Sequence, residues 1–191
     1  AWVILSLQLG IWWNEVLPFP KEFAEVMEKA LGLNPDANVL WLLFVIALSP
    51  AICEEALFRG PLISAFRGRL PNWLIVFGGG AAFGVFHLSI YRVFPTAMTG
   101  FVFTWLVLQT RSIVTSAIAH LILNGTIILV ATQHLPDFIL TYLRDADTEG
   151  IPTWLLGGAA ALFVAGVLLV MRGARGQGSS GRGLTGLDSV G

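Results

Sequence analysis

Residues 37–66 read ANVLWLLFVIALSPAICEEALFRGPLISAF, a run with three charges, Glu54, Glu55 and Arg59, all well inside it. A membrane-spanning helix needs about 20 apolar residues at 1.5 Å rise each, and this run supplies them. Outward from it the pattern repeats. Residues 70–91, 93–110, 112–136 and 150–171 contain no Asp, Glu, Lys or Arg. Residues 1–14 (AWVILSLQLGIWWN) are also uncharged, but the chain starts inside that run and without Met. A bilayer core without water admits only helices or a closed barrel, and runs this continuous are not ten-residue alternating strands. The expectation is an all-α integral membrane protein with about six transmembrane helices. The first is truncated, as in a piece of a longer polypeptide.

Composition agrees. Of 191 residues, 55% are hydrophobic and 12% charged, with a mean hydropathy of +0.77; soluble domains carry about 25% charged residues. That excludes a soluble globule, a disordered chain and, with Cys53 as the single cysteine, a disulfide scaffold. A net charge of −1 excludes a nucleic-acid binder. No basic leader with a small-residue cleavage site opens the chain, so the first run is not read as a signal peptide.

Between the first two runs, Phe23, Val26, Met27, Ala30 and Leu31 recur at helical spacing opposite a charged face. This predicts an amphipathic helix over 21–31 lying on the membrane surface, in contact with lipid. Residues 172–191 hold seven Gly, three Ser and three Arg, the composition of a flexible tail. The expected organisation is therefore 1–37, truncated membrane helix and interfacial helix; 38–171, membrane core; 172–191, tail. Alternate threading gathers Arg67, Arg69, Arg111, Arg172, Arg175 and Arg182 on one side against Asp188 alone. Basic short loops mark the cytoplasmic face, which places the C-terminal tail in the cytoplasm and the 21–31 helix outside.

An intramembrane charge costs about 2.5–3.5 kcal/mol even on the gentlest insertion scale. Glu55 and Arg59 are four residues apart and can neutralise each other on one helix face. Glu54 points about 100° away and lacks a partner in its own segment. Pro50, four residues upstream, is expected to break the helix there. Other polar groups at membrane depth are His87, in Phe83-Gly84-Val85-Phe86-His87, and His120 with Asn124 one turn later. Singly, each reads as interhelical glue. Together they read as a shared site, since intramembrane ionisable groups mark function. Counted from the helix ends, His87 and His120 lie at different depths, and a bend at Gly78-Gly79-Gly80 is one way to bring them together.

Glu54-Glu55-x-x-x-Arg59, Phe83-x-x-x-His87 and His120-x-x-x-Asn124, in that order on separate spans, resemble the three motifs of the CPBP intramembrane proteases. That family includes the CAAX prenyl endopeptidases and the bacteriocin-processing and self-immunity proteins of the ABI type. The resemblance covers about residues 38–135. It implies an intramembrane endopeptidase acting on a membrane-associated or lipid-modified peptide. Glu54 would be the general base on a water, His87 would orient that water, His120 and Asn124 would stabilise the oxyanion, and Arg59 would hold Glu55. Amide hydrolysis does need a base, a positioned water and donors for the developing charge. His87, His120 and a glutamate also match the three-ligand layout of catalytic zinc. The resemblance leaves both a metalloprotease, with zinc or another divalent metal, and a metal-free glutamate mechanism open. The different reading is a non-catalytic immunity, scaffold or transporter-accessory module. Residues 1–37 resemble bacterial members fused behind an ABC-type permease, which implies a bacterial cell membrane and an ABC transporter component as partner.

Three features carry weaker signals. Cys53 faces away from Glu54, Asn124-Gly125-Thr126 matches a glycosylation acceptor but lies within a span, and His134 is expected at a solvated helix end.

Overall fold

The computed structural model describes residues 1–144 and 150–180. Every regular element among them is a helix. In chain order these are α1 (Trp2–Val16), α2 (Lys21–Leu31), α3 (Val39–Phe66), α4 (Asn72–Phe86), α5 (Val93–Thr110), α6 (Ile113–Ala131), α7 (Asp137–Arg144) and α8 (Thr153–Ser180). Pro20 and Pro71 stand immediately before α2 and α4, where the first amides have no intrahelical partner and a missing N–H costs nothing. Asn38 caps α3 by accepting from the Trp41 amide at 3.1 Å. Gly32, at φ 65°, closes α2 in the left-handed conformation.

Four of these helices are long and apolar enough to cross a membrane: Val39–Phe66, Val93–Thr110, Ile113–Ala131 and Thr153–Arg175. The expected six is thus reduced to four on length. The other two apolar helices, α1 and α4, have 15 residues each, about 22 Å of rise against a hydrocarbon core of about 30 Å. An uncharged run does not report where a helix stops inside it. In the 70–91 run, Leu70 and Pro71 precede α4, and the chain leaves it at His87, with Leu88 left-handed at φ 49°. His87 therefore sits at a helix end and not within a span. The opposite discrepancy occurs at α8, which continues through Arg172 and Arg175 to Ser180, past the boundary expected at 171. The remainder of the expected tail, 181–191, lies outside the described residues. Helix α2 forms as expected and leaves Phe23, Val26 and Leu31 uncovered by protein.

Two local features differ from expectation and set the site. The helix is not broken at Pro50. Instead α3 is continuous, with widened π-helical turns at Leu43–Leu48 and Phe58–Leu62 on either side of a regular stretch from Ser49 to Leu57. A π turn absorbs a proline without interrupting the helix, and such turns concentrate at functional sites. Helix α4 runs uninterrupted through its glycine run, which is used for contact. A Cβ on Gly84 would lie 2.5 Å from the Val93 carbonyl oxygen, and one on Gly100 would lie 2.8 Å from Gly80 Cα. The α4 and α5 backbones thus touch through glycine, the small-residue packing common between membrane helices. That contact fixes Phe83 and His87 at the end of α4.

Candidate active site

The centre of the molecule is a buried ion pair boxed in by aromatic rings. Glu55 is fully buried and Arg59 is 2% exposed. Arg59 Nη1 lies 3.0 Å from Glu55 Oε1, the i,i+4 pairing that one helix face permits. The guanidinium carbon stands 4.5 Å from the centroid of the Phe83 ring, 5.7 Å from Phe103 and 5.9 Å from Phe58. Ring faces carry negative quadrupole charge, so three of them replace much of what water would give this cation. The Phe83 ring also meets His87 edge-on at 5.0 Å and His120 at 5.8 Å. Phe83 is the hub between the two histidines, and it brings them together from helices whose depths differ.

The hydrogen bonds fix the state of each imidazole. His120 Nδ1 is 3.0 Å from Glu55 Oε1; a carboxylate paired with a guanidinium accepts, so Nδ1 carries the hydrogen. His120 Nε2 then accepts from Asn124 Nδ2 at 3.1 Å. His87 Nδ1 donates to the Phe83 carbonyl at 2.9 Å, which leaves its Nε2 with a lone pair. The second hydrogen of the Asn124 amide goes to the Ile46 carbonyl at 3.0 Å. Ile46 is four residues before Pro50, which has no N–H to return to the preceding turn. Asn124 supplies that carbonyl with a hydrogen from another helix, in a turn that Pro50 leaves one donor short.

Glu54 is placed differently from its neighbour. Its side chain is 21% exposed, and Oε2 lies 4.0 Å from His120 Nε2. That oxygen is buried and has no hydrogen-bond partner. Glu54, His87, His120 and Asn124 line one cavity of about 480 Å³. The structure thus gathers every expected site residue. Glu54, Phe83, His87, His120 and Asn124 meet the cavity, while Glu55 and Arg59 stand behind it as support.

Two contributors had no sequence signal. Phe103, fully buried, lies 5.5 Å from the His120 ring, yet it is one of thirteen phenylalanines. Helix α1 adds Ser6, Leu7, Gly10 and Asn14 to the cavity wall. Cys53 is exposed and off the cavity, and His134 bonds the Thr132 carbonyl at 2.7 Å beyond the end of α6.

The side chains do not form a metal site in this arrangement. Among the described residues no three of His, Cys, Asp and Glu are placed to hold an ion. Both His120 nitrogens are engaged, and His87 offers only Nε2.

A carboxylate on a cavity, ordered imidazoles and an amide donor are the kinds of group that activation of a water against an amide requires. The family model described as Type II CAAX prenyl endopeptidase Rce1-like matches residues 36–126. That stretch runs from just before α3 into α6 and contains all seven site residues. No curated protein and no solved structure matches the chain. With its apolar helices and this match, the chain is an integral membrane protein whose residues 36–126 are similar to the CAAX-type, Rce1-like membrane proteases.

Proposed function

We propose that the chain is an intramembrane endopeptidase that hydrolyses a peptide bond of a membrane-associated or lipid-modified peptide by a glutamate-activated water. One observation carries this reading. Of two adjacent glutamates, each with one oxygen lacking a hydrogen-bond partner, Glu55 is fully buried with its Oε1 shared by Arg59 and His120, while Glu54 alone lines the cavity. A water donating one hydrogen to Glu54 and the other to His87 Nε2 has its lone pair left for a substrate carbonyl. As the water oxygen bonds to the carbonyl carbon, its proton passes to Glu54. The oxyanion takes the Asn124 hydrogen that now rests on His120 Nε2, because the other is tied to Ile46. Collapse of the tetrahedral intermediate breaks the C–N bond, and Glu54 returns the proton to the leaving amine.

In this reading α1 and α4 join the four longer helices as short spans, which a locally thinner bilayer accommodates. Residues 38–171 form the protease core behind a leading 1–37 segment, with the interfacial α2 outside and the C-terminus cytoplasmic. The seat is a bacterial cell membrane, with an ABC transporter component as partner. Cysteine labelling at Glu25→Cys and Gly173→Cys checks the orientation: the first should react from outside and the second only after permeabilisation. The reverse pattern would overturn it.

The test of function is turnover of a membrane-peptide library by purified wild type and Glu54→Gln. Loss of a general base costs about 100- to 10,000-fold, with the fold intact because the amide keeps the shape. A folded Glu54→Gln protein with wild-type turnover would remove Glu54 as the base, and a wild type that cleaves nothing would leave the chain a non-catalytic membrane module. A chelator arm decides the metal: turnover that is lost with chelator and restored by zinc would return His87 and His120 to the role of ligands.

A further inference from the structure

Helix α1 lies outside the matched residues 36–126, yet it forms one wall of the cavity that holds Glu54, His87 and His120. Its faces divide cleanly. Trp2 meets Phe163 of α8 in a tilted ring contact at 5.4 Å, and Trp13 stacks on Phe94 of α5 at 4.9 Å. Gln8 accepts from the Ile151 amide at 3.2 Å. These contacts fasten the helix. Ser6, Gly10 and Asn14, spaced by four and so on one face, turn to the cavity. Ser6 Oγ already donates to the Val3 carbonyl at 2.8 Å, and Asn14 Oδ1 accepts from the Phe19 amide at 2.9 Å. Their oxygens are therefore satisfied within the chain and do not call for a polar ligand.

Gly10 lies at the middle of this face, and a Cβ there would meet nothing within 4 Å. The contrast with Gly84 and Gly100 is direct, because those glycines are filled by a neighbouring backbone. At Gly10 the missing side chain leaves room on the cavity side. The same cavity is lined by the apolar Leu7, Pro95, Leu123 and Ile127 beside the polar Arg92 and Thr96, and its apolar side chains favour an apolar group on their part of the wall.

We propose that α1 is the specificity wall of the site and that Gly10 sets the size of the apolar substrate side chain it admits. This rests on the protease reading above. Gly10 is a specificity-determining residue here and takes no part in the chemistry.

The test uses the full chain and peptides from the membrane-peptide library, each made with Ala or with Phe at the positions flanking the scissile bond. In Gly10→Phe, the Phe-over-Ala ratio of kcat/KM at the most discriminating position should fall at least about tenfold, the scale on which pocket size discriminates apolar groups. An equal fall for both series would make α1 mere scaffold and overturn the proposal, as would an unchanged ratio. A second measurement reads binding without hydrolysis. In a Cys53→Ser background, which removes the native thiol, the Gly10→Cys variant is alkylated with N-ethylmaleimide. Phe peptides should slow the reaction at least about threefold more than Ala peptides. Protection that discriminates in a protein that cleaves nothing would sink the protease reading and keep the wall. Turnover abolished by Glu54→Gln, with no discrimination at position 10, would do the reverse.

Discussion

On one side of α3, Glu55 is sealed against His120 and Arg59, whose guanidinium is ringed by three phenylalanines; on the other, one residue earlier, Glu54 faces an open cavity. The two carboxylates share a helix and a depth in the membrane. They differ by about 100° of rotation, and that rotation decides what each can do. A carboxylate held by two cationic or hydrogen-donating partners is a structural anion. One with a partnerless oxygen on a cavity is a base waiting for a proton. Membrane depth alone marks neither role, and the neighbouring rings and helices assign them.

The most forceful way to break this contrast is to neutralise each carboxylate in turn. Glu54→Gln should lower kcat by about 100- to 10,000-fold and leave thermal unfolding in detergent unchanged. Glu55→Gln should lower the unfolding temperature, because it removes the counter-charge of a buried guanidinium. Equal behaviour of the two variants would erase the distinction. Next in size is Arg59→Ala. Breaking a buried pair by removing one partner costs about 3–5 kcal/mol, so denaturant titration should show a loss of that order. A variant that unfolds like wild type would show the pair to be dispensable. Smaller again is Asn124→Ala. One oxyanion donor is worth about 3–4 kcal/mol at most, so turnover should fall by less than in Glu54→Gln. A larger loss in Asn124→Ala would move the main catalytic burden away from Glu54.

Much of this was legible from spacing. Glu55 and Arg59, four apart in a helix, could be paired on paper, and the same geometry left Glu54 alone. The gathering of His87, His120 and Asn124 was legible as a shortage of polar groups at membrane depth. Helix ends were not, because the uncharged 70–91 run carries no charge where α4 stops at Phe86. Gly78-Gly79-Gly80 has the composition of a bend and of a contact alike. Only the presence of α5 against it, with Thr104 and Phe101 meeting Gly79 and Gly80, selects the contact. Phe103 and Gly10 were silent for a similar reason: a phenylalanine or a glycine in an apolar run has no meaning until its neighbour across the gap is known.

The bond from Asn124 to the Ile46 carbonyl has a consequence for assembly. Within hydrocarbon, a carbonyl without a donor costs several kcal/mol. Pro50, without an N–H, leaves the turn that holds Ile46 one donor short as soon as α3 is inserted, before any other helix has docked. Helix α6 relieves it only if Asn124 arrives opposite Ile46. A slip of α6 by one turn, about 5.4 Å, carries the amide out of reach and leaves the defect open. The proline thus acts as an address written into one helix and read by another. Insertion can proceed span by span, while the correct register of α3 and α6 is selected afterwards by the closing of that single gap.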